Sequence, residues 1–290
     1  MALSSPGDAN GPAAHAEASP ESPWLQAMAV LPFDVLDALD LPATYERSFK
    51  LRPGVLLAQR YLLGVPTPGL APAQLLEVAC RLGMPPGLQG LFQRALEGAS
   101  TALYGFEGGP DGLVFKAYAE YRARLGPALA AARAPGGQAQ AVEMFRGFKW
   151  RVDIEDPGVQ TVYTARPGLT PAQLPALVDA RLRGGRADAL LTAAQAVLGR
   201  ALAARPGYAP LWLDLGEGAA SQRAFDLNLY DAGLRVLDIA AEVAKLAQTF
   251  GIDGDQVQGV LAAAGPGLLG HVSAGQGRNG EPYLTVYFEP

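Results

Sequence analysis

The chain has 290 residues, of which 49% are apolar, and a formal net charge of −5. The acidic balance argues against general affinity for nucleic acid, and no apolar run is long enough to cross a bilayer. One cysteine and two histidines exclude a disulfide framework and a Cys- or His-rich metal site. These features predict a cytoplasmic protein that does not act on nucleic acid or membrane.

The N-terminal stretch, residues 1–22, is rich in Ala, Ser, Pro and Gly. It has neither the basic start nor the apolar core of a signal peptide, so we expect a disordered tail. Residues 23–290 contain no linker and predict a single domain. Its first part, from Trp24 to about Leu41, is apolar and predicts one or two helical turns.

A first hairpin is predicted around the turn dipeptide Pro53-Gly54. Tyr45–Arg52 alternates charged and apolar residues, as a strand with two different faces does. Gly54–Gly64 is either its partner strand or a helix, and we favour the strand. Helices are expected next, over residues 72–97 with a break at Gly83–Gly87.

Four further hairpins share one pattern. In Leu113–Tyr121, Phe115, Ala117 and Ala119 form an apolar face, and the alternate residues form a polar face. The second strand of each hairpin carries a polar residue two positions before a tyrosine, which places both on the same face. The pairs are Lys116 and Tyr118 in Leu113–Tyr121, Thr161 and Tyr163 in Val159–Thr164, Asn228 and Tyr230 in Phe225–Asp231, and Thr285 and Tyr287 in Tyr283–Glu289.

The repeated unit of hairpin plus helix predicts an α+β fold. Helical sequence follows the first three of these hairpins, over residues 122–134, 187–204 and 233–250. The helices cover the apolar face of the sheet, which leaves the polar face to water or to a lumen. An open sheet with a solvated face is one possibility. The repeated tyrosines favour the other, a closed antiparallel β-barrel surrounded by α-helices, which also removes the sheet edges.

The lumen of such a barrel would contain basic and tyrosyl groups. Lys116 lies beside Tyr118, and Arg60 lies in the first hairpin. Cations inside a barrel need a counter-charge, and a diphosphate is a natural anionic ligand for them. Phenol rings attract carbocations through their π faces. Both properties are required for transfer of an allyl group from an isoprenoid diphosphate. The sequence has no P-loop, nucleophile-elbow serine or dinucleotide-binding glycine motif.

With this organisation the chain resembles the ABBA prenyltransferases, and among them most closely the cyanobactin peptide prenyltransferases. The best local match is Glu46-Arg-Ser-Phe-Lys50 followed by Ala58–Leu63. Lys116-Ala-Tyr118 corresponds to a Lys-x-aromatic strand of that family. The hairpin from Gly147 to Tyr163 and the C-terminal hairpin over 271–288 correspond to two others. The motifs are short, and their shared order and spacing carry the resemblance.

The resemblance implies a role for each candidate site residue. Glu46 would be the general base on the acceptor, and Leu213 would gate isoprenoid length. The diphosphate would be bound by Arg60, Lys116, Asn228 and Thr285. The tyrosine shield would consist of Tyr118, Tyr163, Tyr230 and Tyr287. His271 and Trp150 would contact the acceptor at the barrel rim. Thr161, Asn228 and Thr285 stand where many prenyltransferases have Lys or Arg, which predicts that Mg²⁺ accompanies the diphosphate.

The predicted function is transfer of a dimethylallyl or geranyl group to a side chain of a ribosomally derived peptide by a monomeric enzyme. One alternative is the same chemistry on a small aromatic metabolite, and another is a non-catalytic barrel that binds a peptide or lipid. Plainer interpretations of single residues also exist. Glu46 could pair with Arg47 or Lys50 on a wet surface, and the tyrosines could be cross-strand packing partners. Trp150 could belong to the core.

Overall fold

The computed structural model describes residues 23–110, 112–134, 140–183, 188–217 and 220–290. The predicted tail, residues 1–22, lies outside the described residues. The strands are β1 Thr44–Arg52, β2 Val55–Pro66, β3 Thr101–Gly109, β4 Gly112–Glu120, β5 Val142–Arg151, β6 Val159–Arg166, β7 Leu211–Glu217, β8 Ala220–Asn228, β9 Leu268–Gln276 and β10 Pro282–Glu289. The α-helices are α1 Pro23–Ala38, α2 Pro72–Arg81, α3 Pro86–Leu96, α4 Leu125–Arg133, α5 Leu174–Leu182, α6 Asp188–Ala204, α7 Ala240–Thr249 and α8 Gly254–Ala264.

The ten strands form one closed antiparallel barrel. Each strand pairs with its neighbours in chain order, and β1 pairs with β10 to close the sheet. The predicted first hairpin is present as β1 and β2. Closure leaves no sheet edge with unpaired backbone groups, so no strand of the barrel offers a template for aggregation. The predicted fold class, an antiparallel β-barrel surrounded by helices, is confirmed.

The helices bury the outer face of the barrel in two large clusters. One joins α1, α2 and α3 to the first half of the sheet and contains Phe92, Phe115 and Trp150. The other joins α5 to α8 to the second half and contains Trp212 stacked on Phe225 at 4.4 Å between ring centroids. Each fully buried aromatic side chain removes roughly 150–250 Å² from water, so these clusters dominate the stability of the barrel wall.

Helix α1 is longer than its sequence predicts. The apolar stretch from Trp24 was expected to form one or two turns, but the helix has 16 residues. It accommodates Pro32 in its interior and buries Leu25, Val35 and Leu36. Burial of this apolar face against the barrel outweighs the missing hydrogen bond of the proline. Among the helices of the described residues, none combines the length and apolar character needed to cross a membrane.

The last residues of one predicted strand adopt another structure. Strand β8 ends at Asn228, and Tyr230–Ala232 forms a turn of 3₁₀ helix instead of continuing the predicted strand. Gly233, with φ of 67°, ends that turn in the left-handed region that glycine adopts at little cost. The backbone of Tyr230 therefore leaves the barrel wall, which changes how its side chain reaches the lumen.

Candidate active site

A cavity of about 280 Å³ occupies the half of the lumen nearest the five hairpin turns. Its lining is strongly basic. Among the described residues, the basic side chains that line it are Lys50, Arg60, Lys116, Lys149, Arg151 and Arg278, and the carboxylates are Glu107 and Asp156. Six cations against two anions leave four formal positive charges, in a protein with a net charge of −5. We call this region the basic half of the lumen.

Arg60 and Lys116 share one carboxylate at the centre of the basic half. Arg60 Nε donates to Glu107 Oε2 at 3.0 Å, and Lys116 Nζ donates to the same oxygen. Both cations are 5% exposed. Burial opposes the charge of Glu107, but Arg60 and Lys116 hold its pKa well below the ordinary value. Burial in turn lowers the pKa of Lys116 well below its ordinary value, against the attraction of Glu107.

Lys50 and Thr285 complete the surroundings of this pair. Arg60 Nη1 donates to Thr285 Oγ1 at 3.5 Å, so Thr285 lies with the cations as its sequence position predicts. The Lys50 ammonium lies 4.6 Å from the centre of the Tyr283 ring. Burial lowers the pKa of Lys50 to about 8, which leaves the ammonium charged near neutral pH and responsive to any anion that enters the cavity.

The basic lining removes the reason for which Mg²⁺ was predicted. That prediction rested on a shortage of cations beside the diphosphate, whereas six basic side chains line the cavity. Within the described ranges, no group of three or more His, Cys, Asp or Glu residues could hold a metal ion. The cavity carboxylate Glu107 is already engaged by two cations. The predicted Mg²⁺ would be bound by diphosphate oxygens and not by protein ligands, so its presence stays a prediction.

Three of the predicted shield tyrosines lie at or next to the cavity. Tyr163 and Tyr287 line it, and Tyr118 contacts Tyr163 edge to face at 6.0 Å between centroids. Gly147 makes the room for Tyr118, since a Cβ at this glycine would lie 2.6 Å from the tyrosine ring. Burial raises the pKa of Tyr163 and of Tyr287 well above the ordinary value. The phenols are therefore neutral and present aromatic faces to the lumen.

Tyr287 separates the basic half from a second group of ionisable side chains. Its ring lies 5.9 Å from the Arg60 guanidinium and 6.2 Å from the His271 ring. Glu46, Asp226, Tyr230 and His271 lie beyond it, toward the end where helices connect the strands. We call these four residues the acidic half of the lumen.

Glu46 is held by a hydrogen bond from Tyr230, whose hydroxyl donates to Glu46 Oε2 at 2.7 Å. The two residues are 184 positions apart in the chain. Gly270 makes this contact possible, since a Cβ there would lie 2.7 Å from the tyrosine ring. Burial raises the pKa of Glu46, against His271 and the Tyr230 hydrogen bond, which lower it. A carboxylate with a raised pKa is a stronger base than an ordinary glutamate.

His271 and Asp226 form an ion pair beside Glu46. His271 Nδ1 lies 2.7 Å from Asp226 Oδ1, and the side chains are 17% and 8% exposed. Burial opposes the charge on the imidazole, but Asp226 and Glu46 raise its pKa to about 9. His271 is therefore protonated at neutral pH and lies between two carboxylates inside the lumen, rather than at the barrel rim where the sequence placed it.

Asn228 does not lie near Arg60 and Lys116, with which it was predicted to bind the diphosphate. Its Nδ2 lies 3.3 Å from His271 Nε2, and its Oδ1 accepts from the backbone N–H of Tyr230 at 3.4 Å. It does not line the cavity of the basic half. Asn228 therefore lies apart from Arg60 and Lys116, because position 228 is near the end of β8 opposite the hairpin turns, and its predicted role in diphosphate binding stays a prediction.

Tyr230 likewise belongs to the acidic half, and its principal contacts are Glu46 and His271 rather than the other shield tyrosines. Its ring lies 5.5 Å from the His271 ring, edge to face. Tyr230 lies in the 3₁₀ turn that follows β8, and its hydroxyl reaches Glu46 from there. The four tyrosines with equal sequence offsets therefore do not lie in one group: Tyr118, Tyr163 and Tyr287 lie at or next to the cavity, and Tyr230 lies apart from it.

Leu213 and Trp150 occupy packed positions. Leu213 is 2% exposed and clusters with Met144 and Ala165, whereas Leu215, two residues along the same strand, lines the cavity. Trp150 borders the cavity, but its fully buried indole donates to Leu82 O at 3.0 Å within the outer core. The alternation along β5 directs the ring into the helix layer, and its predicted contact with an acceptor stays a prediction.

Sequence reasoning missed several residues of this site. Asp226 lies in the predicted strand Phe225–Asp231, and Glu107 precedes Leu113–Tyr121 in the same hairpin, but neither received a role, and Lys50 was noted only as part of a motif. Glu107 lies in β3 two residues after Gly105, which pairs with Lys116. That pairing would have placed a carboxylate beside the lysine. The partnership of Asp226 and His271 joins two hairpins and has no comparable local signal.

Comparison with known proteins identifies the fold. No protein-family model matches the sequence, and no curated protein sequence does either. Among solved structures, AnaPT from Neosartorya fischeri aligns with a TM-score of 0.55 and 15% identity, over 84% of this chain and 77% of that one. A 6-dimethylallyl tryptophan synthase aligns with a TM-score of 0.50 and 14% identity, over 85% and 80%. The chain has the ABBA prenyltransferase fold. At such identities the likeness concerns the fold alone.

Proposed function

We propose that this protein transfers a short isoprenyl group, dimethylallyl or geranyl, from its diphosphate to a nucleophilic acceptor. One observation carries the proposal. A basic half that suits a diphosphate and an acidic half that contains a base lie on either side of tyrosine rings in a single lumen. The fold supports the proposal by analogy, because 6-dimethylallyl tryptophan synthase shares it.

In this mechanism the basic half binds the leaving group. Arg60 and Lys116 donate to diphosphate oxygens, and Lys50 adds a third charge from the adjacent strand. Charge develops on the diphosphate when the carbon–oxygen bond breaks and the electron pair leaves with oxygen. Preorganised cations stabilise that charge without reorganising at the moment of reaction.

The tyrosines protect the allyl cation. The rings of Tyr118, Tyr163 and Tyr287 present negative π faces to the developing positive charge. They also exclude water, which would otherwise capture the cation as an alcohol. Their raised pKa values keep the hydroxyls protonated, so the phenols do not themselves become nucleophiles.

The acidic half receives the proton. The acceptor forms its new bond to the allyl carbon, and the proton that it loses passes to Glu46. Tyr230 orients this carboxylate by its hydrogen bond, and the charged His271 keeps an ionised Glu46 favourable despite burial. Asp226 is a positioning residue that acts through His271.

For the acceptor we favour a small aromatic molecule over a peptide side chain. One solved structure with the same fold is a 6-dimethylallyl tryptophan synthase, whose acceptor is a small aromatic molecule. The peptide acceptor is supported only by the local likeness of Glu46–Lys50 and Ala58–Leu63 to cyanobactin prenyltransferases. Leu213 packs just beyond Leu215, which lines the cavity. A smaller side chain at position 213 would therefore lengthen the cavity and admit a longer isoprenyl donor.

The experiment incubates the protein with dimethylallyl or geranyl diphosphate and a panel of indoles, phenols and peptides, with mass spectrometry as the readout. A gain in mass of indoles or phenols alone supports a small aromatic acceptor. A gain in mass of peptides supports a peptide acceptor. Donor binding without any mass gain would identify a non-catalytic barrel. Absence of both binding and transfer would reject the proposal.

A further inference from the structure

Glu107 has an unusual place for a carboxylate in a lumen that suits an anion. It lies directly across from Arg60 in the pairing of β2 with β3, and its neighbour Gly105 pairs with Lys116 in β4. Its side chain lines the cavity and is 17% exposed, compared with 4% for Arg60 and 6% for Lys116. An anion that enters the cavity therefore meets this carboxylate as well as the two cations behind it.

The lumen needs such a carboxylate when no ligand is bound. Two buried cations without a partner would each cost several kcal/mol of solvation free energy. Glu107 balances both with a single oxygen atom. It also favours the charged form of Lys116, whose pKa burial depresses. Glu107 thereby holds Arg60 and Lys116 together at the wall of the cavity.

The same carboxylate opposes the ligand. A bound diphosphate places its negative charge near an ionised Glu107 and competes with it for Arg60 and Lys116. At the effective dielectric of a partly buried site, two unit charges a few ångströms apart interact by several kcal/mol before screening. Binding of any polyanion in the basic half is therefore weaker than the six cations alone would make it.

We propose that Glu107 is a built-in counter-anion that limits the affinity of the lumen for diphosphate, so that inorganic diphosphate leaves after transfer. The proposal rests on the proposed function, which makes diphosphate a product. Because reaction converts an esterified diphosphate into a more highly charged free one, repulsion by Glu107 weakens product binding more than donor binding. Glu107 acts on release and contacts the leaving group without taking part in bond breaking.

The test is titration calorimetry of the full chain with inorganic diphosphate, comparing the wild type with Glu107→Gln. The amide keeps an oxygen that accepts from Arg60 Nε and removes the charge. We expect diphosphate to bind roughly ten- to hundredfold more tightly. In turnover, the variant should have a lower KM for the donor, a lower kcat and stronger inhibition by added diphosphate. The matched control is Glu143→Gln, since Glu143 also bridges two arginines, Arg146 and Arg124, but does not line the cavity.

Unchanged or weaker diphosphate binding by Glu107→Gln would overturn the proposal. Glu107→Met, which is uncharged and similar in length, serves as a second variant if the first does not fold. Failure of both to fold would also overturn it, because Glu107 would then be a structural residue. The outcome is separable from that of the proposed function: a wild type that neither binds diphosphate nor transfers an isoprenyl group rejects the function itself.

Discussion

The two halves of the lumen are built from the same ten strands yet differ in almost every physical property. In the basic half, Arg60 and Lys116 surround one carboxylate and excess positive charge faces an open cavity. In the acidic half, Glu46 and Asp226 flank one cation, His271, and hydrogen bonds tie the group together. The ring of Tyr287 contacts both.

The difference shows how one barrel can divide a reaction. A leaving group needs positive charge with room for a ligand, whereas a base needs a carboxylate held at a defined angle and raised in pKa. Every second residue of a strand faces the lumen, and each lies deeper in the barrel than the one before it. One end of the strands can therefore supply the cations and the other end the base. A substitution in one half should therefore affect one step and spare the other.

The largest effect is expected in the acidic half. Glu46→Gln keeps the shape of the side chain, and its amide oxygen can still accept from the Tyr230 hydroxyl. Loss of the base should lower transfer by about 10²–10⁴-fold. Donor affinity should stay near that of the wild type, and a larger share of the donor should be hydrolysed, because the cation still forms. The measurement is the ratio of hydrolysed to transferred donor. Loss of donor binding would contradict the proposal that the acidic half takes no part in binding the donor.

The next effect is expected in the basic half. Lys116→Ala removes a charge-assisted contact, which is worth about 1.5–3 kcal/mol, or one to two orders of magnitude in donor affinity. Ionisation should slow, and the ratio of hydrolysed to transferred donor should stay constant because Glu46 is intact. Calorimetric titration with a non-hydrolysable thiodiphosphate donor measures the first effect. Glu143→Gln is the control, and unchanged affinity of Lys116→Ala would show that Lys116 does not bind the donor.

A smaller effect concerns stability and pH. The pKa of His271 is raised to about 9 in the folded protein from the ordinary value of 6.5, so its contribution to the free energy of unfolding is fully present below pH 6.5. It is lost as pH rises from 6.5 through 9, and about 3.5 kcal/mol is the upper limit, from 2.5 pKa units at 1.4 kcal/mol each. Denaturant unfolding of wild type and His271→Gln at pH 6 and pH 9 measures it.

The stability difference between His271→Gln and the wild type is the informative quantity, because other groups titrate in the same range. The pKa of Lys50 is lowered to about 8, so its titration has the opposite sign and stabilises the fold as pH rises above that value. This contribution cancels in the difference. A gap between the two proteins that stays constant from pH 6 to pH 9 would show that His271 is not held charged by Asp226 and Glu46.

The smallest effect is expected from metal removal. If the basic side chains of the lumen supply the charge that the diphosphate needs, EDTA should change the rate of transfer little. The control adds Mg²⁺ back in excess. Abolition of transfer by EDTA with recovery on Mg²⁺ would show that the cations of the basic half are insufficient.

Much of the fold could be predicted because its signals are local. Alternation along Leu113–Tyr121 and its three counterparts identifies both faces of each strand, and the turn residues identify the hairpins. Helix α1 was underestimated because its length depends on burial of Leu25 and Leu36 against the barrel, which local sequence does not encode. Arg60, Lys116 and Thr285 were grouped correctly because strand alternation places them on the same face.

The acidic half could not be predicted to the same degree because its contacts join distant parts of the chain. Glu46 meets Tyr230 across 184 positions, and only barrel closure through β1 and β10 brings them together. The position of Asn228 could not be predicted because strand alternation shows which face of the sheet a residue occupies but not how deep in the barrel it lies. That depth decides which half of the lumen the side chain lines. Tyr230 was assigned to a strand because nothing in the alternation signals the 3₁₀ turn that replaces it.

The most direct test of the division of the lumen is a crystal structure with dimethylallyl thiodiphosphate bound. We expect diphosphate oxygens about 3 Å from the side-chain nitrogens of Arg60 and Lys116, with the allyl group against Tyr163 and Tyr287 and directed toward Glu46. A diphosphate bound among Glu46, Asp226 and His271, or outside the barrel, would contradict it.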